Sequence, residues 1–114
     1  MANITPTELD NSDQTRTLLW AAMGNADNGL PAAFGQFPDR TVTITGTFGG
    51  ATVLIQGSGD GGTTWTTLKD YLGNTLSFNS TAIALIAENP PLIRPSTSGG
   101  TGSVIAVTLI GSRA

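Results

Sequence analysis

The chain has 114 residues, no cysteine, no histidine, 11% charged residues and a net charge of −3. The missing thiols and imidazoles exclude disulfides, Cys- or His-based metal sites and Ser-His-Asp or Cys-His catalysis, so no catalytic residue, cofactor or metal is expected. The five basic residues (Arg16, Arg40, Lys69, Arg94, Arg113) are scattered; no positive stripe forms to neutralise phosphates, and nucleic acid is not an expected partner. No apolar run approaches the ~20 residues of a membrane span, and the N-terminus lacks the basic start and apolar stretch of a signal peptide, so a soluble domain without a membrane partner is expected.

Residues 1–15 have little apolar content and carry Glu8, Asp10 and Asp13 without a basic residue. They read as a flexible or partner-docking N-terminal arm ahead of one domain at 16–114. The domain opens with a strand over Thr17–Met23, followed by a turn at Asn25–Gly29. Pro31 and Pro38 bracket a loose connection through Phe34 and Phe37. Arg40–Phe48 then alternates cleanly: Thr41, Thr43, Thr45 and Thr47 share one face, and Val42, Ile44 and Phe48 share the other. That period of two predicts a half-buried antiparallel strand. Gly49-Gly50 turns it into a strand over Ala51–Gln56. Further strands are predicted over Thr63–Leu68 and Thr75–Phe78, on either side of a turn at Asp70–Asn74.

Thr81–Ala87 suits either a helical turn or a strand, and Asn89-Pro90-Pro91 stops both. Leu92–Arg94 reads as a brief strand and Gly99–Gly102 as a turn. Ser103–Ile110 is apolar on both faces, which places it centrally in a sheet. The expectation is an all-β fold: a single antiparallel β-sandwich of about seven or eight short strands with an extended N-terminal arm.

One motif is sharp. Ser58, Asp60, Gly62, Thr64 and Trp65 match S-x-D-x-G-x-T-W at every defined position. The Asp60 carboxylate can accept backbone N–H groups within the turn, Gly62 can take φ > 0, and Trp65 can cover the turn with its ring. The pattern resembles an Asp-box, the hairpin repeated in sialidase-type propellers, where it lies away from the active site. The resemblance therefore implies a structural turn.

A wider resemblance runs from about Arg40 to Arg113. The stretches TVTITGTFGGATVLIQGSGDGGTTWTTL, LSFN and ENPPLIRPSTSGGTGSVIAVTLI are similar to small virion proteins of tailed bacteriophages, including capsid decoration (cement) proteins. The resemblance implies a non-catalytic β-domain, often a homotrimer, that clips onto the major capsid protein. It also implies synthesis in the bacterial host cytoplasm and a final position on the capsid surface. The alternative it leaves open is a glycan-binding or structural module of a tail or fibre, with Trp65 recognising sugar.

Other residues carry weaker signals. Gly99–Gly102 lacks the lysine of a phosphate-binding loop. A calcium loop starting at Asn25 would need a glutamate where Gln36 stands. Asp60, Asp70 and Glu88 are the carboxylates from which an acid–base pair would be drawn, and each flanks a turn. Arg94, between Ile93 and Pro95, is a candidate for an intrachain contact or an interface salt bridge. Trp20 suits core packing, with an interface role as the second possibility.

Overall fold

The computed structural model describes residues 3–11, 15–24, 26–33, 37, 39–88 and 90–112. Two sheets pack face to face, as the alternation of apolar and polar residues requires. Among the described residues twelve strand segments build them, five of only two residues: β1 (Asn3–Ile4), β2 (Thr7–Asn11), β3 (Thr15–Met23), β4 (Asn28–Gly29), β5 (Ala32–Ala33), β6 (Asp39–Thr47), β7 (Thr52–Ser58), β8 (Thr66–Thr67), β9 (Ser77–Phe78), β10 (Ala82–Ile86), β11 (Leu92–Ser98) and β12 (Val104–Ser112). The five-stranded sheet has the order β10-β6-β12-β3-β2. The seven-stranded sheet runs β1-β4-β11-β7-β8, with β5 beside β11 and β9 beside β7. All strand pairs are antiparallel except the short β1–β4 contact.

The period-2 pattern decides which side chains enter the core. On β6, Val42 and Ile44 are buried while Thr41 and Thr43 are half-exposed; on β12, Ile105, Val107 and Leu109 are buried. β12 lies at the centre of its sheet, between β6 and β3. Val53 and Ile55 of β7 and Ile93 of β11 supply the facing layer. Trp20 on β3 reaches across to the other sheet: its Nε1 donates to the Leu30 carbonyl at 3.0 Å. A Cβ at Gly29 would stand 2.6 Å from Pro95 Cδ and 2.7 Å from Trp20 Cδ1, so only glycine lets the ring approach β4 this closely.

Several expectations change. Residues 3–11, read as an arm outside the domain, are built into both sheets. β1 pairs with β4, and β2 lines β3 as an outer strand. An edge strand needs backbone partners more than apolar content, and Glu8 is further tied to Arg16 Nε at 2.6 Å. Asp13 lies outside the described residues. The ambiguous 81–87 segment is a strand, because β6 offers it a full antiparallel partner from Arg40 to Ile44. The strand expected over Thr63–Leu68 shrinks to Thr66–Thr67, since the preceding residues are drawn into a turn. β11 is longer than expected and runs on to Ser98.

Opposite Ala106, β3 carries an extra residue, and Ala22 there has φ 56°. The left-handed conformation costs an L-residue about 1–2 kcal/mol, whereas glycine adopts it freely but loses about 0.5–1 kcal/mol of chain entropy. Ala22→Gly is therefore expected to raise unfolding stability by about 0.5 kcal/mol, and Gly29→Ala to lower it by about 1–3 kcal/mol through overpacking. Urea titrations of both variants check the opposite signs.

Candidate functional site

The turn after β7 is organised by one carboxylate. Asp60 Oδ1 accepts the amides of Thr64 at 2.9 Å and Thr63 at 3.1 Å, and the Ser58 hydroxyl at 2.7 Å. Ser58 Oγ in turn accepts the Gly62 amide at 2.9 Å. Gly61 and Gly62 have φ of 79° and 98°, conformations that a Cβ would penalise. The Trp65 indole N–H closes the turn on the Gly62 carbonyl at 3.0 Å. The Thr64 amide, followed by the Ser58 hydroxyl, holds the Asp60 carboxyl down to about 2. Asp70 organises a second turn in the same way, accepting the Leu72 and Asn74 amides at 2.9 Å each. The Asn74 amide is the main cause of its lowered pKa. Glu88 Oε1 accepts the Lys69 amide at 2.6 Å. These carboxylates are thus engaged in separate backbone contacts.

Trp65 also joins a second cluster. Arg94 on β11 and Gln56 on β7 are direct cross-strand partners on the outer face of the seven-stranded sheet, and Arg94 Nε donates to Gln56 Oε1 at 3.0 Å. The guanidinium lies over the Trp65 ring, 4.2 Å from its centroid, a cation–π stack. Desolvation lowers the Arg94 pKa, and among the described residues no carboxylate pairs with it. Arg94 therefore has an amide and an aromatic ring as its partners within the chain. One face of Trp65 is covered by that cation and is not available to a sugar.

Trp20 is 1% exposed, which removes it from any interface; its bulk fills the intersheet space instead. The sequence reading also missed Arg40, which is buried and donates to the carbonyls of Phe37 (2.9 Å) and Glu88. Its parity with Val42 and Ile44 was the available signal. Gly111 is its cross-strand partner on β12. Burial lowers its pKa. At Asn25–Gly29, Asp27 Oδ2 accepts the Gly24 amide at 2.7 Å and Thr97 ties the turn to β11; Asn25 and Gln36 lie outside the described residues. Among the described residues no three His, Cys, Asp or Glu side chains gather to hold a metal ion, and no helix is long and apolar enough to cross a membrane.

The outer face of the five-stranded sheet differs in kind. From β10 to β3 it presents Ile83 and Leu85, then Thr41, Thr43 and Thr45, then Val104, Ala106, Thr108 and Ile110, then Thr17 and Leu19. None of these is charged. Along β10 a groove of about 520 Å³ opens between Ile83–Leu85 and the loop bearing Asp70, Tyr71 and Leu72.

The fold is that of the two-sheet sandwiches that include cupin and double-stranded β-helix domains. Among solved structures it is similar to the SPBc2 prophage-derived protein YomS, with a TM-score of 0.63 and 16% identity over 90% of this chain and 99% of that one. The PBSX exported protein XepA is similar with a TM-score of 0.64 and 15% identity, over 89% of this chain and 39% of that one. An oxalate oxidase shares the fold at a TM-score of 0.54 and 14% identity, over 95% of this chain and 50% of that one. No protein-family model matches the sequence, and no curated protein matches it.

The lowered Asp60 pKa has a definite sign. A carboxyl whose folded pKa lies below its unfolded value contributes stability that is complete above about pH 4 and is lost as pH falls through about 2. NMR titration of the Asp60 carboxyl is expected to give a midpoint near 2, and Asp60→Ala to remove the acid-induced change in Trp65 fluorescence. For the stack, a double-mutant cycle with Trp65→Leu and Arg94→Met is expected to give a coupling of about 0.5–1 kcal/mol in urea unfolding.

Proposed function

We propose that this protein is a non-enzymatic structural component of a bacteriophage virion. It decorates the outer surface of the head, binds the major capsid protein and stabilises the shell. The observation that carries this reading is the shared fold with prophage-derived YomS, which spans nearly the whole of both chains. The sandwich also occurs in enzymes, so fold alone does not decide chemistry. The side chains weigh against catalysis here. The sequence has no imidazole or thiol, and Asp60 and Asp70 are tied into their own turns.

Decoration requires surface rather than chemistry. The Trp65–Arg94 stack is the contact proposed for the capsid. Trp and Arg are the residue types that dominate interface energetics, and a guanidinium already stacked loses little freedom on docking. Its complement is a carboxylate on the shell. The protein acts as a homo-oligomer, and it is made in the bacterial cytoplasm before it reaches the capsid surface.

The test is to mix purified protein with stripped heads, sediment them and image the particles. The expected result is ordered density on the outside of the head, greater resistance of the shell to heating, and roughly tenfold weaker binding for Arg94→Ala, the equivalent of about 1.4 kcal/mol. Density confined to the tail, or none, overturns the decoration reading. A Trp65-dependent signal on a glycan array would replace it with the glycan-binding module.

A further inference from the structure

We propose that two copies of this chain associate through β10. Each adds its Ala82–Ile86 strand antiparallel to the other's, joining the two five-stranded sheets across a two-fold axis. Such pairing deepens the homo-oligomer part of the function proposed above and rests on it, while capsid binding through Arg94 uses the opposite sheet. It assigns a two-fold contact where the phage resemblance implied a three-fold one.

The two edges of this sheet are built differently. β2 carries the exposed Glu8, a charge that discourages another strand from pairing there. β10 reads Ala-Ile-Ala-Leu-Ile. It has no charge, proline or glycine, and its register with β6 runs without a bulge. Charge, proline and bulge, which commonly blunt an exposed edge, are all missing from it; at its C-terminal end the Ala87 amide donates to the Lys69 carbonyl at 2.9 Å, and before that point every second residue offers its N–H and C=O to a neighbour.

The side chains match the backbone. Ile83 is 70% and Leu85 52% exposed on this strand; in the loop across the groove Tyr71 is 59% and Leu72 88% exposed. At those fractions the four present roughly 500 Å², and the strand edge with Thr41 carries the patch toward the roughly 800 Å² that each partner contributes to a standard interface.

The strand is also self-complementary. A two-fold axis through Ala84 sets Ile83 beside the partner's Leu85 and Leu85 beside the partner's Ile83, with the small Ala84 at the axis. A contact that uses the same edge on both copies closes on itself, and the charged β2 edge stops the sheet from growing further.

Sedimentation of the full chain at micromolar concentration tests the pairing. The expected mass is twice that of one chain, falling to a single chain for Ile83→Lys/Leu85→Lys with an unchanged circular-dichroism spectrum, a loss of at least 100-fold in self-affinity. A second measurement does not depend on how that variant folds. The chain has no cysteine, so Ile83→Cys and Leu85→Cys proteins mixed under oxidising conditions are expected to cross-link to each other more readily than either does alone. A monomeric or trimeric wild type, a dimer that survives both lysines with its fold intact, or no preference for the mixed cross-link overturns the proposal. Binding to stripped heads is scored separately on the same variants. Its absence would sink the capsid reading while the masses still decide the pairing.

Discussion

The close approach of Gly29 to Trp20 on one side and Pro95 on the other is the constraint on which the sandwich turns. Trp20 belongs to the five-stranded sheet, and Gly29 and Pro95 belong to the other. The indole nitrogen is satisfied by the Leu30 carbonyl, so the largest side chain in the core is held by a directed bond as well as by packing. With that ring in place, Val42, Ile44, Val107 and Leu109 on one sheet and Val53, Ile55 and Ile93 on the other close the remaining space. Their alternate residues are then forced outward, because successive side chains on a strand point to opposite faces.

Those outward residues give the molecule two unlike surfaces. The seven-stranded sheet shows a polar platform: Gln56, Arg94 and the Trp65 ring, with Ser96 Oγ donating to Asn28 Oδ1 at 2.6 Å nearby. The five-stranded sheet shows threonine and aliphatic side chains. A surface of the first kind suits a partner that brings charge. A surface of the second kind suits one that is itself neutral and extended, which a second β10 is. The Asp60 turn serves the first surface indirectly, since the indole that closes the turn is the one on which Arg94 rests.

The sequence determined a good deal by itself. The Thr/Val-Ile alternation of 40–48 settled a half-buried strand, because burial of one face follows from side-chain period alone; the doubly apolar 103–110 run pointed to the central place that β12 takes. The lack of cysteine and histidine by itself narrows the chemistry open to the chain. The turn residues Ser58, Asp60 and Gly62 were legible because their bonds are local, spanning two to four residues.

What needed the tertiary structure was long-range. Arg94 and Gln56 are 38 positions apart, and only the β7–β11 register makes them neighbours. Residues 81–87 had no local reason to choose strand over helix until β6 offered an edge. Residues 3–11 looked like an arm because a strand at a sheet edge draws its hold from another strand's backbone, which leaves no mark in side-chain composition. The exposure of β10 likewise depends on which strand ends the sheet. Side-chain periodicity is written along the chain, whereas the identity of a strand's neighbour, or the lack of one, arises only when distant segments pair.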